Sequence, residues 1–367
     1  MSRLDELIAE LCPDGVEYKA LEEIASIELG RRVTKAEIDR NPGQYPVWHG
    51  GETPMGYINK TNCPPYTVLV ANTGSIGYVN WISIDSWCSD AASMVIVKKD
   101  ILSSRFLYHF LKSKEFKIKK FRRIGGVPTL ELRKLRSFPI PLPPLQVQRE
   151  IVRILDNFTE LTAELTAELT ARRKQYEYYR DLLLTFDDDV PKVRLDKVTT
   201  ITRGVRVVKS QLTETGTYPV FQNSMTPLGY YEKSNFNKNT VFIIGAGAAG
   251  EIGYSKIDFW AADDCYCLTC SDRLQSRFLY YAILCQKSYL LSRVRRASVP
   301  RLARSVIERL EIPVPPLKEQ ERIVSILDRF DALCNDLTSG IPAEIEARQK
   351  QYEYYRDKLL SFKEVTG

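Results

Sequence analysis

The string Arg172-Arg-Lys-Gln-Tyr-Glu-Tyr-Tyr-Arg-Asp181 returns later in the chain as Arg348-Gln-Lys-Gln-Tyr-Glu-Tyr-Tyr-Arg-Asp357. Extended to Phe186 and Phe362, the two stretches are identical at 12 of 15 positions, far more than shared helical composition would produce. The period of this duplication is much longer than the roughly 20 to 50 residues typical of solenoid repeats. The chain is therefore expected to contain two similar domains, and a duplicated chain suggests a duplicated target.

The duplication extends upstream of these strings. Pro141 to Phe158 aligns with Pro313 to Phe330 at 11 of 18 positions. Further toward the N-terminus the similarity is weaker but keeps its register, so that Trp87 aligns with Trp260. Each repeat thus combines a variable globular part with a nearly constant helical part.

Length and composition fit a soluble protein of two ordinary domains. The chain has 367 residues, of which 44% are hydrophobic and 27% are charged, as is usual for globular proteins. Its apolar runs are much shorter than the roughly 18 residues of a membrane span. The first residues, Met1 to Leu7, carry acids where a signal peptide needs an apolar core. The sequence therefore predicts a cytoplasmic protein that does not act at a membrane.

Local patterns predict a mixed fold for each globular part. Apolar runs bounded by Gly, Pro and Asn, such as Thr67–Ala71 and Thr240–Ile244, predict short strands. Apolar residues at helical spacing predict a helix near Ser103–Lys120 and a counterpart near Ser276–Val294. We therefore expect an α+β fold in both globular parts.

A proline-rich segment and a long helix come after each globular part. Pro139–Pro144 and Ile312–Pro316 are too rich in proline to be helical and predict an extended exit. The next apolar residues recur at the spacing of a coiled-coil seam, namely Ile151, Leu155, Phe158, Leu165, Leu169, Tyr176, Tyr179 and Leu183. A helix over Gln146–Phe186 would be about 60 Å long, so we expect it to act as a spacer. Its counterpart is expected to break near residues 339–342, where Gly340 and Pro342 interrupt the pattern.

The first long helix contains a repeat of its own. The tetrapeptide Glu-Leu-Thr-Ala occurs three times in succession over Glu160–Ala171 and is missing from the second helix. Each added copy would lengthen the helix by about 6 Å and rotate the downstream residues about the helix axis by roughly 40°. If the two helical arms lie antiparallel, they would hold the globular parts at opposite ends of a rod.

Basic residues cluster at matching positions of the two repeats. Between Lys112 and Arg136 there are ten basic and two acidic residues, and between Gln286 and Glu311 there are seven and two. Such clusters suit binding to the phosphate backbone of nucleic acid. A solvated helix face would also explain a single cluster, but recurrence in otherwise diverged repeats favours nucleic acid.

Two motifs suggest chemistry but have simpler explanations. Gly245–Gly250 fits the dinucleotide pattern G-x-G-x-x-G, but a strand comes after it and not the helix that would receive a pyrophosphate, so a tight hairpin turn is favoured. Asn62-Cys63-Pro64-Pro65-Tyr66 is similar to the target-base box of amino-methyltransferases, but Cys63 displaces the amide. We therefore interpret it as a loop.

The cysteines and histidines offer weak support for a metal or catalytic site. Cys265, Cys267 and Cys270 lack a fourth zinc ligand nearby and align with apolar residues of the first repeat, which favours buried strand positions. Of the two histidines, His109 lies on an apolar helix and is expected to be structural. His49 lies in a turn whose counterpart is Gln222-Asn223, and such paired loops of changing residue type suit contacts to base edges, although ordinary loop drift would explain them too.

Taken together, these residues resemble the specificity subunits of type I restriction-modification systems. The similarity covers essentially the whole chain and rests on the Pro-Pro-Leu-x-x-Gln-x-x-Ile-Val-x-Ile-Leu-Asp motif starting at Pro143 and Pro315, on the tyrosine-rich strings, and on the tetrapeptide repeat, which resembles that of the type IC group. The resemblance implies target-recognition domains at residues 1–140 and 187–312, a central conserved helix at 141–186, and a distal conserved helix at 313–367. It also implies antiparallel coiled-coil arms with pseudo-twofold symmetry.

The resemblance further implies a division of labour. The chain would bind a bipartite, asymmetric site on double-stranded DNA, dock two adenine-methyltransferase (modification) subunits, and assemble with restriction endonuclease/translocase subunits. It would be non-catalytic and carry no cofactor, whereas S-adenosylmethionine, ATP and Mg would belong to the partner subunits.

Because recognition domains diverge freely, the resemblance transfers no individual DNA contact, and our candidates come from recurrence between the repeats. They include the pattern G-x-R-x-x-K, which starts at Gly30 and Gly204. The DNA-binding candidates are Arg31, Arg32, Lys35, Trp48, His49, Asn72, Arg122, Arg123, Arg203, Arg206, Lys209, Gln222, Asn223, Arg293, Arg295 and Arg296. The partner-binding candidates are Tyr176, Tyr178, Tyr179, Tyr352, Tyr354 and Tyr355.

Two other functions remain compatible with the residues alone. A self-contained DNA-modifying enzyme would bind S-adenosylmethionine by itself. A coiled-coil adaptor unrelated to DNA would show affinities insensitive to salt.

Overall fold

The computed structural model describes residues 3–123, 128–336 and 338–365. Strands and short helices alternate in both globular parts, and each part is succeeded by long helices. The predicted α+β fold class is therefore confirmed. Within the described residues, every helix is too short or too polar to cross a lipid bilayer.

The first globular part, which we call domain 1, contains six helices and eleven strands within the described residues. In chain order these are α1 (Arg3–Leu11), β1 (Tyr18–Ala20), α2 (Leu21–Ile24), β2 (Ala25–Leu29), α3 (Lys35–Arg40), β3 (Tyr45–Trp48), β4 (Gly56–Ile58), β5 (Thr67–Ala71), β6 (Val79–Ile82), β7 (Trp87–Cys88), β8 (Ala92–Val97), α4 (Ser104–Ser113), α5 (Glu115–Lys119), β9 (Arg122–Arg123), β10 (Thr129–Leu130), α6 (Leu132–Arg136) and β11 (Pro139–Pro141).

Two sheets form the framework of domain 1. The larger is antiparallel with the strand order β2-β8-β5-β6, and the smaller has the order β4-β3-β7, in which β3 and β7 are parallel. β5 is buried along its whole length because strands cover both of its edges and α4 covers one face. The proline-rich β11 pairs with β1, so the exit from the domain is extended as expected.

The second globular part, domain 2, repeats both sheets and the β1–β11 pair of domain 1, but within the described residues it has no strands equivalent to β9 and β10. Its elements are β12 (Lys192–Arg194), α8 (Leu195–Val198), β13 (Thr199–Arg203), β14 (Tyr218–Phe221), β15 (Gly229–Tyr231), β16 (Thr240–Ile244), β17 (Ile252–Ser255), β18 (Trp260–Ala261), β19 (Cys265–Cys270), α9 (Ser276–Cys285), α10 (Lys287–Ser292), α11 (Arg304–Glu308) and β20 (Glu311–Pro313), with a 3-10 turn at Lys209–Gln211. The sheets have the orders β13-β19-β16-β17 and β15-β14-β18.

Two motifs singled out in the sequence have structural roles in domain 2. Gly245–Gly250 forms the turn of the hairpin between β16 and β17, as predicted. Cys265 and Cys267 are buried on β19, which confirms the prediction of buried strand residues, and burial raises the pKa of the Cys265 thiol to about 12. Cys270 at the end of the strand is half-buried.

Three long helices complete the chain. α7 runs without interruption from Leu145 to Leu183, so its 39 residues extend over about 58 Å. After domain 2, α12 (Leu317–Asn335) and α13 (Ile341–Leu359) are separate helices. Asp336 caps this break, because its carboxylate accepts hydrogen bonds from the backbone and hydroxyl of Thr338.

The compact units of the chain do not match the order of the repeats. One unit contains domain 1, α7 up to Leu165 and the chain from Ile345 onward, and the other contains Thr166–Glu344. In the first unit Phe158 of α7 stacks on Tyr355 of α13 at 5.5 Å between ring centroids. In the second unit Tyr179 of α7 stacks on Phe330 of α12 at 5.6 Å. Each unit therefore uses the tyrosine-rich helix of the other repeat.

A buried glutamine joins each domain to the next helix in the chain. Gln148 on α7 is fully buried and makes three hydrogen bonds with backbone groups: Oε1 accepts from Ser103 N, and Nε2 donates to Ile101 O and Pro143 O. Gln320 on α12 makes the matching bonds with Gln275 N, Arg273 O and Pro315 O. These contacts explain the glutamine of the repeated Pro-Pro-Leu-x-x-Gln motif.

A second joint connects α4 and α7 in the first unit. Asp156 Oδ1 accepts hydrogen bonds from Arg105 Nε and from His109 Nε2, both at 2.8 Å. His109 is 1% exposed, and its Nδ1 has no partner among the described residues. Burial lowers the pKa of His109 despite the neighbouring carboxylate, while the two donors keep the pKa of Asp156 below its usual value.

Acidification should therefore destabilise the first unit. The unfolded chain binds a proton on His109 near pH 6.5, above the pH at which the folded chain does so, and the free energy of unfolding should fall as the pH drops below that value, by at most about 1.4 kcal/mol per pH unit. Urea unfolding of the His109→Gln variant at pH 7.5 and 5.5 should lack this loss. His49→Gln is the matched control and should retain it, and an equal pH dependence of H109Q and the unaltered chain would refute the assignment.

Candidate DNA interface

In domain 1, three chain segments meet at the turn between β7 and β8, which spans Cys88–Ala92. The segment after β2 bonds to it through Arg31 N and Cys88 O at 2.9 Å. The turn after β3 bonds through Ser89 N and Trp48 O at 3.0 Å, and the turn after β5 through Asn72 N and Ala91 O at 2.7 Å. We call this meeting point the loop edge of domain 1.

A pair of arginines is attached to the same edge. β9 and β10 form a hairpin in which Arg123 pairs with Thr129, and Leu130 N donates to Asn72 O at 2.8 Å. Arg122 and Arg123 are both exposed. The hairpin therefore adds two exposed guanidinium groups beside the turns of the loop edge.

Domain 2 builds an equivalent loop edge from equivalent bonds. Val205 N donates to Ala261 O at 2.9 Å, Ala262 N to Phe221 O at 2.8 Å and Gly245 N to Asp264 O at 2.6 Å. Leu302 N donates to Gly245 O at 2.8 Å, as Leu130 does to Asn72 in domain 1. Arg295 and Arg301 take the place of the first hairpin, since they exchange two backbone hydrogen bonds and are both exposed.

A glycine allows the arginine-bearing segment to lie against each loop edge. A Cβ atom on Gly30 would be 2.1 Å from Ser89 O, and one on Gly204 would be 2.1 Å from Ala262 O. Neither position can hold a side chain without displacing the backbone. This contact explains why glycine opens the G-x-R-x-x-K pattern in both repeats.

The turns after β3 and β14 have equivalent backbone hydrogen bonds but carry different side chains. In domain 1 His49 is exposed with Nδ1 2.8 Å from Ser89 Oγ, and Trp48 is half-buried against the core. In domain 2 Gln222 lies with Nε2 3.5 Å from Asp264 Oδ2, and Asn223 is exposed. Imidazole, amide and carboxylate groups donate to or accept from base edges, so the two turns suit contacts to different bases.

The structure brings together only part of the predicted set. Described contacts place Arg31, His49, Arg122 and Arg123 at the first loop edge, and Arg203, Gln222, Asn223 and Arg295 at the second. The remaining basic candidates are exposed, but the described contacts do not join their side chains to either edge, namely Arg32, Lys35, Arg206, Lys209, Arg293 and Arg296.

Asn72 is a structural residue and not an accessible one. It is 6% exposed, and its amide lies within hydrogen-bond distance of Ser93 Oγ on β8 through both Nδ2 and Oδ1. Its backbone oxygen holds the hairpin through Leu130. We therefore replace the predicted base contact with a role in positioning the loop edge.

Sequence reasoning missed five residues that contribute to these edges. Arg301 faces Arg295 across the second hairpin. Asp263 O accepts from Arg203 Nε at 2.6 Å, and Asp264 faces Gln222. Asn62 and Asn235 each clamp β7 or β18 with two side-chain hydrogen bonds to one residue, Cys88 or Ala261. The offset of 173 residues between the two asparagines was the signal available in the sequence.

The tyrosine-rich strings divide into inward and outward residues. Tyr178 and Tyr354 are 64% and 63% exposed, and Tyr179 and Tyr355 cover Phe330 and Phe158 at the helix surface. Tyr176 is buried in the core of its unit, and Tyr352 packs against the core of the other. Burial raises the pKa of both hydroxyls. The outward face of each string is thus formed mainly by its second and third tyrosines.

Comparison with known proteins decides the family. The model of the type I restriction modification DNA specificity domain matches residues 13–172 and again 187–347. The chain belongs to the type I specificity-subunit family. Specificity subunits are the DNA-recognition components of restriction-modification systems and are not catalytic.

Individual relatives cover the chain almost completely. A Haemophilus influenzae protein described as a type I restriction enzyme specificity subunit is 32% identical, with 95% of this chain and 96% of that protein covered. The EcoR124I/EcoR124II specificity subunit of Escherichia coli is 31% identical, with 99% and 97% covered. A specificity subunit from M. genitalium has the same fold, with a TM-score of 0.71 at 20% identity and 96% and 98% coverage.

Proposed function

We propose that the loop edges of the two domains each bind one half of a bipartite, asymmetric DNA site. The observation that carries this proposal is the recurrence of one backbone frame with different polar side chains. Arginines on the hairpins suit phosphates, which position a protein on DNA, whereas the changing turn residues suit base edges, which specify sequence. His49 in one frame and Gln222 with Asn223 in the other would give unlike half-sites.

We further propose that the chain docks two methyltransferase subunits and assembles with restriction endonuclease/translocase subunits. The outward tyrosines support this, because Tyr178 and Tyr354 present the same exposed ring in sequence contexts that are nearly identical. Exposed aromatic residues are enriched at protein interfaces. Equivalent surfaces on both units suit two copies of one partner.

We also propose that α7 sets the distance between the two half-sites. The three tetrapeptides of Glu160–Ala171 lie inside this uninterrupted helix. A rigid helical connection transmits a change in its length directly, at about 1.5 Å per residue. The spacer length of the DNA site should therefore depend on the number of tetrapeptides.

One experiment tests bipartite recognition and the role of α7 together. Single-molecule sequencing of methylated DNA from a strain carrying the chain and its methyltransferase partner should show a split motif of two unlike halves. Deletion of Glu164–Ala167 should shorten the unrecognised spacer by about one or two base pairs, since it removes about 6 Å of helix, and leave both halves unchanged. An undivided motif would overturn bipartite recognition, and altered halves would overturn the role of α7.

A further inference from the structure

Both units contain an open cavity at the same place, between the domain and its long helix. In the first unit the cavity has a volume of about 650 Å³. In the second unit it has a volume of about 760 Å³. Five equivalent positions line both cavities, namely Tyr66 and Asn239, Trp81 and Tyr254, Arg105 and Arg277, Val152 and Val324, and Asp156 and Asp328.

The rim of each cavity has an unusual backbone conformation. Within the described residues, Tyr66 and Asn239 are the two non-glycine residues with positive φ, at 63° and 61°. This conformation is costly for a bulky residue such as tyrosine and is retained mainly where the surrounding structure or function requires it. Its presence at one equivalent position in two diverged domains marks that position as constrained.

The floor of each cavity holds an arginine that lies beside two aromatic rings and donates a hydrogen bond to an aspartate. The Arg105 guanidinium lies 4.9 Å from the ring centroids of both Trp81 and Tyr108, and that of Arg277 lies 4.7 and 5.0 Å from those of Tyr254 and Tyr280. Each arginine donates to Oδ1 of its aspartate, at 2.8 Å to Asp156 and 2.6 Å to Asp328.

Within the described part of the chain, only one oxygen of each carboxylate accepts a hydrogen bond. Oδ1 of Asp156 also accepts from His109, and Oδ1 of Asp328 also accepts from Tyr281. Among the described residues nothing donates to Oδ2 of either aspartate, and the two side chains are 38% and 45% exposed. Each cavity thus offers one oriented acceptor beside an aromatic ring and a valine.

The arginine, valine and aspartate of each cavity belong to the parts of the repeats that are most alike. Asp156 and Asp328 end the Ile-Val-x-Ile-Leu-Asp motif, and Arg105 and Arg277 are the second residues of the Ser-Arg-Phe-Leu-Tyr strings. A surface that recognises different DNA sequences diverges between the domains, whereas a surface that binds one partner twice stays the same. The cavities therefore fit the partner and not the DNA.

We propose that each cavity receives one side chain from a methyltransferase subunit, whose N–H or O–H group donates to Oδ2 of Asp156 or Asp328. This inference rests on the docking of two methyltransferase subunits proposed above. The charged residues at the rims differ, with Lys99 and Arg149 in one unit and Lys256, Asp331 and Asp336 in the other. The common occupant is therefore a neutral side chain with an apolar body, such as Trp or Tyr, which contacts Val152 or Val324.

Replacement of the aspartates by asparagine tests the proposal. Asn keeps Oδ1 as an acceptor for the arginine but turns Oδ2 into a donor, so D156N and D328N should each weaken binding of one methyltransferase subunit by about tenfold or more. Native mass spectrometry of the purified chain mixed with its methyltransferase subunit should show a 1:2 complex, and a 1:1 complex for each single variant at limiting concentration. Asp39→Asn and Asp188→Asn, which replace exposed aspartates elsewhere, should keep the 1:2 complex.

A second pair of variants separates docking from folding. Val152→Phe and Val324→Phe fill the cavities without altering the Arg–Asp pairs, and they should also remove one subunit each while thermal unfolding stays close to that of the unaltered chain. If all four variants keep the 1:2 complex, the cavities are not docking sites although the docking proposal stands. If the unaltered chain binds no methyltransferase subunit, the docking proposal itself fails.

Discussion

Loss of the hairpin arginines should weaken DNA binding about a hundredfold at physiological salt. The variant combines Arg122→Ala, Arg123→Ala, Arg295→Ala and Arg301→Ala, and these four exposed side chains lie beside the two loop edges. When a phosphate contact is lost, DNA binding releases fewer counterions. The slope of log K against log[salt] should therefore become shallower by about 0.9 for each lost contact. The effect should be uniform across DNA sequences, because phosphate contacts position the protein without specifying bases.

The measurement is a salt titration of DNA binding by the assembled complex. A matched control removes the same charge at exposed positions away from the loop edges and from the outward tyrosines, through alanine at Lys192, Lys233, Lys238 and Lys318. The control should lose little affinity. If both variants show the same affinity and the same salt slope, the hairpins do not contact phosphates and the loop edges lose their main support.

Replacement of Gln148 by leucine should destabilise the first unit by about 3 to 5 kcal/mol. Leucine has a similar size but leaves Ser103 N, Ile101 O and Pro143 O without their buried partner, and each unsatisfied buried group costs roughly 1–3 kcal/mol. Gln320→Leu should act in the same way on the second unit. The Ser103 amide should also lose its protection from hydrogen exchange, which reports the broken contact directly.

Gln146→Leu provides the control, since Gln146 lies two residues away on the same helix and is exposed. Urea unfolding should show little change for this variant. If Q148L and Q146L unfold at the same urea concentration, the buried glutamine does not hold the domain to its helix. In that case the repeated Pro-Pro-Leu-x-x-Gln motif would need another explanation.

Local patterns in the sequence predicted the elements well. The coiled-coil spacing predicted a helix over Gln146–Phe186, and α7 covers Leu145–Leu183. The Gly245–Gly250 turn and the buried cysteines of β19 were also predicted from short-range patterns. These features depend on residues close together in the chain, whose periodicity and turn chemistry are visible directly.

The remaining features depend on contacts between distant segments. The apolar face of α7 was evident, but periodicity does not say which helix covers it, and each half of α7 is covered by a different helix. Asn72 looked accessible because polar residues in turns usually are, and only the bond to Ser93 shows otherwise. The loop edges form through backbone bonds to the β7–β8 turn and its counterpart, and backbone bonds leave little trace in side-chain identity.

The pairing of α13 with the first unit has a consequence for synthesis on the ribosome. The second unit is contiguous in the chain and can complete its core as it emerges, whereas the first unit needs Leu359, Leu360 and Phe362, which are made after the whole second unit. At roughly 5–20 residues per second, about 10 to 40 s pass between the synthesis of Leu155 and Phe158 and the synthesis of the residues that cover their apolar face. Nascent chains should therefore expose this face until residues 359–362 have left the ribosome, and a ribosome stalled before them would leave the first unit incomplete.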